Sequence, residues 1–138
     1  MEPIARAQVA LEQNAEAEAA SSGAGLLVRD TDLVSTVVYA RHYYGACPAW
    51  VVDAARDRRA DLYLLCDVDL PWVADAARDR PHAREAMYDA FALNLDQFGC
   101  VWTRVEGQGP AREAAARRAV DALLQARAER TAYRDDGG

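Results

Sequence analysis

The sequence of 138 residues contains no lysine, and its 16 permanently basic side chains are all arginine. A chain without side-chain amines cannot form a Schiff base, and it has no ammonium group to place in a catalytic site. The three cysteines, Cys47, Cys66 and Cys100, are odd in number and lack CxxC spacing. We therefore expect neither a disulfide framework nor a zinc site.

Long apolar segments and an excess of positive charge are also missing. No apolar run approaches about 18 residues and no signal segment opens the chain, so we expect a cytoplasmic protein without a membrane partner. The 22 acidic residues exceed the basic ones, for a net charge of −6, which disfavours binding to nucleic acid. The length predicts a single domain over residues 1–130, followed by a disordered tail over 131–138.

Three short apolar runs predict strands, at residues 26–28, 61–67 and 100–105. Helical patterns and their start and stop signals predict six helices, over residues 3–20, 33–44, 49–59, 71–78, 82–97 and 111–130. In the first helix the main apolar positions are Ile4, Ala7, Val9 and Leu11. Since strands separated by helices are joined by parallel crossovers, we predict an α/β fold with a three-layer parallel sheet.

Acidic side chains follow two of the predicted strands. Asp30 and Asp32 come after the first strand, and Asp67 and Asp69 come after the second. Ligands of parallel sheets bind at the carboxyl ends of the strands, where carboxylates suit Mg²⁺ or a sugar hydroxyl. The alternative is that Asp30 or Asp32 only caps the following helix, and the sequence leaves both possibilities open.

A group of arginines beside a tryptophan forms a second candidate site. Arg78, Arg80 and Arg84 could form a lid over phosphates, because guanidinium groups bind phosphate oxygens in a bidentate manner. The alternative is a solvated helix face with salt bridges. Trp72 could stack on an aromatic base or belong to the core.

Aromatic side chains follow the first pair of acids, at Tyr39, His42, Tyr43 and Tyr44. Positions 39 and 43 share a helical face, so we expect one or both tyrosines to pack on the sheet. The sequence has no cysteine or serine motif for which His42 could act as a catalytic base. We therefore expect its side chain to be solvated.

Read together, four segments resemble one family: DTDLVST at 30–36, YYG at 43–45, DLYLL at 61–65 and PWVAD at 71–75. They are similar to the P-loop kinase domain of NadR-type nicotinamide riboside kinases and to the small AAA-type ATPases grouped with them. The resemblance extends from about residue 5 to residue 128. It implies a P-loop NTPase fold and phosphoryl transfer from ATP, with Mg²⁺, to a hydroxyl group of nicotinamide riboside.

The resemblance also implies roles for individual residues. Asp30 would lie near the metal ion or the substrate hydroxyl, and Asp32 would support it. The lid over the ATP phosphates would contain Arg78, Arg80 and Arg84. A small-molecule nucleoside or nucleotide would be bound by Trp72, Tyr39 and Tyr43.

The P-loop itself is the main departure from that family. Its relatives begin with a strand and a G-x-x-x-x-G-K-[ST] loop, but no such loop precedes Asp30 and the chain has no lysine. We therefore expect a domain truncated at its N-terminus and inactive by itself. The preferred explanation is that Met1 is an internal methionine of a longer protein. Otherwise the flanking strands pair directly, or a second chain or second copy covers the exposed strand edges.

Two other functions are compatible with the sequence. One is a non-catalytic module for assembly or for binding a nucleotide or riboside, which retains part of the pocket. The other rests on residues 27–34, which resemble the strand-end motif of haloacid-dehalogenase-type phosphatases. There Asp30 would be the nucleophile and Asp32 the general acid, although the lysine that this chemistry normally recruits is absent.

Overall fold

The computed structural model describes residues 2–23, 25–67 and 81–136, and 71% of these residues are helical. The elements, in chain order, are α1 (Glu2–Ser22), α2 (Leu33–Tyr44), α3 (Ala49–Asp57), β1 (Tyr63–Cys66), α4 (Pro81–Gln97), β2 (Trp102–Val105) and α5 (Pro110–Asp136). They belong to two compact units, residues 1–59 and residues 60–138.

Helix α2 forms the centre of the first unit and contacts both α1 and α3. Its apolar residues recur at intervals of three and four, which gives a helix a continuous apolar face. The buried apolar residues of this unit are Ala5, Leu33, Val34, Val37, Val38, Ala40, Val51 and Ala55. Because this packing fixes α2, it also fixes the residues that immediately precede the helix.

The two ends of α2 have well-defined caps. At the start, the Ser35 amide donates to Asp32 Oδ1 at 3.3 Å, and the Ser35 hydroxyl lies 3.5 Å from the Asp32 amide. These contacts form a capping box. At the end, Gly45 has a φ of 75° and donates its amide to the Arg41 carbonyl. Glycine suits this left-handed position because it has no Cβ.

The buried face of α1 differs from the one predicted from hydrophobicity. Ile4 and Leu11 are 61% and 65% exposed, whereas Ala5 and Glu12 are fully buried. Ala5 and Glu12 are seven residues apart, about two helical turns, and therefore lie on the same side of the helix. A carboxylate thus occupies the inner face of α1, where an apolar residue was expected.

The second unit contains a two-stranded parallel sheet. Tyr63 of β1 is paired with Trp102 of β2, and the register continues to Cys66 and Val105. Helix α4 lies between the two strands in sequence, as a parallel crossover requires. The buried apolar residues of this unit are Leu95, Phe98 and Val105.

The predicted three-layer sheet with three strands and six helices is wrong for the part of the chain that the structure describes. Residues 26–29 have no regular structure, Leu26 and Leu27 are exposed, and Val28 is 77% exposed. A strand needs a partner for its backbone amides and carbonyls, and within the described ranges only β1 and β2 are paired. The predicted helix over 71–78 lies outside the described residues.

Helix α5 is the longest element and continues to Asp136, beyond the predicted end at residue 130. It buries none of its described side chains, and pairs at i and i+4 such as Glu113 with Arg117 support its exposed surface. None of the helices in the described ranges is both long enough and apolar enough to cross a lipid bilayer.

Candidate functional site

Residues Asp30, Thr31 and Asp32 form a tight turn before α2, which we call the acidic turn. Thr31 has a φ of 70° and is the one non-glycine residue with positive φ in the described ranges. A β-branched residue in this conformation is strained, and such strain is often found at functional sites. The turn leaves Asp30 exposed and Asp32 buried. The two carboxylates therefore have different environments.

Asp32 acts as the N-cap of α2. Besides its side-chain bond to Ser35, its carbonyl accepts the Thr36 amide at 3.1 Å and the Thr36 hydroxyl at 3.3 Å. The capping alternative raised by the sequence therefore describes what Asp32 does in this structure. Its predicted support of catalysis stays a prediction.

Asp30 makes no hydrogen bond or ion pair with any residue that the structure describes. Its exposed carboxylate can therefore accept hydrogen bonds from a ligand. The described residues include no group of three histidine, cysteine, aspartate or glutamate side chains that could hold a metal ion. The predicted metal-binding role of Asp30 stays a prediction.

A buried carboxylate lies next to the acidic turn. The Glu12 side chain is 1% exposed, and its Oε1 accepts the Leu33 amide at 3.0 Å. The Gln8 amide group donates to the same oxygen at 3.3 Å, and Arg58 Nε donates to Oε2 at 2.9 Å. Together with Arg29 and Glu16, these side chains form what we call the Glu12 cluster. The cluster connects α1 to the first residue of α2.

The arginines of the Glu12 cluster balance its negative charge. Arg58 Nη2 donates to Glu16 Oε1 at 2.8 Å, and Arg29 Nη2 donates to the same oxygen. The hydrogen bond to Glu12 raises the pKa of Arg58, and partial burial opposes this effect. Arg58 is therefore a permanent cation beside the buried Glu12. Removing one partner of such a pair leaves an uncompensated charge in the interior.

Glu12 and Arg58 are 46 residues apart and were not predicted as site residues from the sequence. One signal for Glu12 was present, namely its two-turn spacing from Ala5 on an amphipathic helix. A charged residue on an inner helix face requires a partner, but the spacing alone does not identify that partner. Nothing in the local pattern distinguishes Arg58 from its neighbours Arg56 and Arg59.

The predicted substrate residues on α2 form an exposed aromatic surface. The rings of Tyr39 and Tyr43 are stacked, with centroids 6.2 Å apart and an angle of 12° between their planes. His42 contacts Tyr43 edge-on at 4.7 Å. Both tyrosines are exposed, so the expectation that they pack on the sheet is wrong within the described residues.

In the second unit, the carboxyl end of the sheet is occupied by arginines. Arg104 Nε donates to the buried Asp67 carboxylate at 2.8 Å, and this hydrogen bond raises the pKa of Arg104. Arg112 donates to the main-chain carbonyls of Asp67, Val105 and Gly107. The strand-end acid Asp67 is thus already paired with a cation. The predicted second acid, Asp69, lies outside the described residues.

The predicted phosphate lid falls mostly outside the described ranges. Arg78, Arg80 and Trp72 are not among the described residues, so their roles stay predictions. Arg84 lies in α4 and is half-buried. Its role over the phosphates likewise stays a prediction.

The comparison with known families agrees with the class that the sequence motifs indicate. A family model described as an AAA domain matches residues 1–113, which include the acidic turn, the Glu12 cluster and both strands. This is a nucleotide-binding class related to the P-loop NTPases. The match covers most of the chain, and the protein therefore belongs to the AAA domain family. No protein of curated function matches the sequence.

Proposed function

We propose that this AAA-family chain binds a nucleoside of the nicotinamide riboside type and that Asp30 contacts the ribose hydroxyl groups. The observation that carries the proposal is the exposed Asp30 carboxylate, presented by the strained turn at Thr31. An ionised carboxylate has two acceptor oxygens and can bind two neighbouring hydroxyl groups at once. Such charge-assisted hydrogen bonds are stronger than neutral ones.

The exposed face of α2 supports the same proposal. Ser35, Tyr39 and Tyr43 are four residues apart and therefore share one side of the helix. That side begins at the acidic turn, since Ser35 is hydrogen-bonded to Asp32. Aromatic rings offer a flat apolar surface on which a nicotinamide ring can stack. The ribose and the base would thus contact neighbouring parts of the same helix.

The residues present do not provide a complete site for Mg²⁺-ATP. The sequence has neither the glycine-rich loop nor the lysine that hold the phosphates in P-loop enzymes. Asp30 offers a single carboxylate, and no group of three potential ligands exists among the described residues. We therefore derive no phosphoryl-transfer step for this chain. Such a step would require a P-loop supplied from outside these 138 residues.

Thermal denaturation with and without nicotinamide riboside tests the proposal. A ligand that binds only the folded state raises Tm, by an amount that grows with ligand concentration. We expect this rise for the unmodified chain and its loss in Asp30→Asn, which removes the charge and one acceptor oxygen.

Asp53→Asn is the matched control for this experiment. Asp53 is an exposed aspartate in the same unit, and its ion pair with Arg56 spans only three residues of α3. Its substitution should leave the riboside-dependent rise intact. An equal rise in Asp30→Asn and Asp53→Asn would show that Asp30 does not bind the ligand.

A further inference from the structure

We infer that Glu12 is a positioning residue, which holds the acidic turn in its ligand-binding conformation from the neighbouring helix α1. The inference rests on the proposed function, because it treats the acidic turn as the riboside site. Glu12 itself is buried, so its side chain offers no surface to a ligand. It acts through the main chain of α2 and through Arg58.

One amide at the start of α2 has its acceptor on α1. The first amides of a helix have no partner within the helix. Asp32 satisfies the amide of Ser35, and Glu12 satisfies the amide of Leu33 at 3.0 Å. The carboxylates of Asp32 and Glu12 therefore both cap α2. A negative charge at this end of a helix is favourable in addition.

Both sides of the acidic turn are attached to α1. Leu33, directly after the turn, is bound by Glu12. Arg29, directly before the turn, is bound by Glu16 and lies 4.0 Å from the Glu12 carboxylate. Thr31 is strained, and a strained conformation persists only where its surroundings hold it. These attachments to α1 act together with the capping bonds of Asp32 to hold it.

A neutral side chain of the same shape cannot replace Glu12. Leu33, Arg58 and Gln8 all donate to its two oxygens. Glutamine has a single acceptor oxygen, so Glu12→Gln would direct an NH₂ group at one of these donors. A buried donor would lose its partner, and Arg58 would lose its buried counter-charge.

Hydrogen exchange of the amides of residues 30–36 tests the inference, together with titration of nicotinamide riboside. We expect Glu12→Gln to exchange at least tenfold faster in this segment than the unmodified chain. We also expect it to bind the riboside at least tenfold more weakly, at a temperature where the variant is fully folded. Glu18→Gln is the matched control, because Glu18 is exposed on the same helix and makes no such contact with the described residues. It should match the unmodified chain in both measurements.

Unchanged exchange over residues 30–36 in Glu12→Gln would overturn the inference, as would faster exchange with unchanged riboside affinity. The unmodified chain could bind no riboside while Glu12→Gln still speeds exchange in residues 30–36 alone. That result would contradict the proposed function but would support the role of Glu12 in fixing the turn.

If Glu12→Gln does not fold, Arg58→Lys replaces it. Lysine keeps the positive charge but cannot contact Glu12 and Glu16 at the same time as arginine does. Arg58→Lys should exchange faster over residues 30–36 alone, and unchanged exchange there would overturn the inference.

Discussion

The backbone conformation of Thr31 costs free energy, and contacts around this residue must offset that cost. Its positive φ brings Cβ close to the main chain, which costs roughly 1–2 kcal/mol for a residue with a side chain. Glycine avoids this cost but loses more conformational freedom on folding, roughly 0.5–1 kcal/mol. The balance favours glycine at this position. It follows that threonine is not the most stabilising residue here.

We predict that Thr31→Gly raises the free energy of unfolding of the first unit by up to about 1.5 kcal/mol. Chemical denaturation measures this quantity. Thr36→Gly is the control, since Thr36 lies inside α2, where glycine is about 1 kcal/mol less favourable than alanine and is also less favourable than threonine. A destabilisation of the same size in both variants would contradict the strain assigned to Thr31.

Cys47 provides a pH-dependent prediction. Burial raises the pKa of its thiol, and the nearby Arg41 opposes this shift. The folded protein therefore keeps the thiol proton to higher pH than the unfolded chain does. Because the folded state binds this proton more tightly, the free energy of unfolding falls as the pH rises from the pKa of the unfolded state through that of the folded state.

Alkylation of Cys47 as a function of pH, followed by mass spectrometry, measures this shift. We expect the inflection of the rate to lie at higher pH in the native protein than in urea, because the thiolate is the reactive form. The urea-unfolded chain serves as its own reference. Coinciding inflections in the two conditions would contradict the effect of burial on this thiol.

Helix α2 depends on Asp32 for its start. Replacing an N-cap aspartate with alanine typically costs about 1 kcal/mol, whereas asparagine caps almost equally well. We therefore predict that Asp32→Ala lowers the free energy of unfolding by about 1 kcal/mol and that Asp32→Asn changes it little. Urea denaturation distinguishes the two variants. Equal losses in both would mean that the charge of Asp32, and not its capping bond, stabilises α2.

The elements of the first unit also show what can be predicted from sequence. The ends of α2 were predictable, because Asp32 with Ser35 and the terminal Gly45 are local signals. Residues 26–28 have the apolar composition of a strand. A strand also needs a neighbouring strand for its backbone hydrogen bonds, and composition does not show whether one is present. The acidic turn was predicted as a candidate site because its two carboxylates, separated by one residue, follow an apolar run. Glu12 and Arg58 were not found, because their contact joins residues far apart in the chain.

In the molecule as a whole, the family match extends over the first unit and much of the second. The AAA domain match includes the first unit entirely, and the proposed contacts with the ligand lie within that unit. The sequence predicted the nucleotide-binding class from motifs distributed along the chain, and the family match confirms that class. The predicted three-stranded sheet is wrong, because it required pairing partners that the described residues do not form.

Calorimetric titration of the purified chain with nicotinamide riboside, with Mg²⁺-ATP turnover measured on the same sample, is the decisive experiment. We predict saturable binding of one riboside per chain that is lost in Asp30→Asn, and no formation of ADP. The absence of any binding by the unmodified chain would contradict the proposed riboside site. Formation of ADP that Asp30→Asn abolishes would instead contradict the conclusion that these residues lack a complete site for Mg²⁺-ATP.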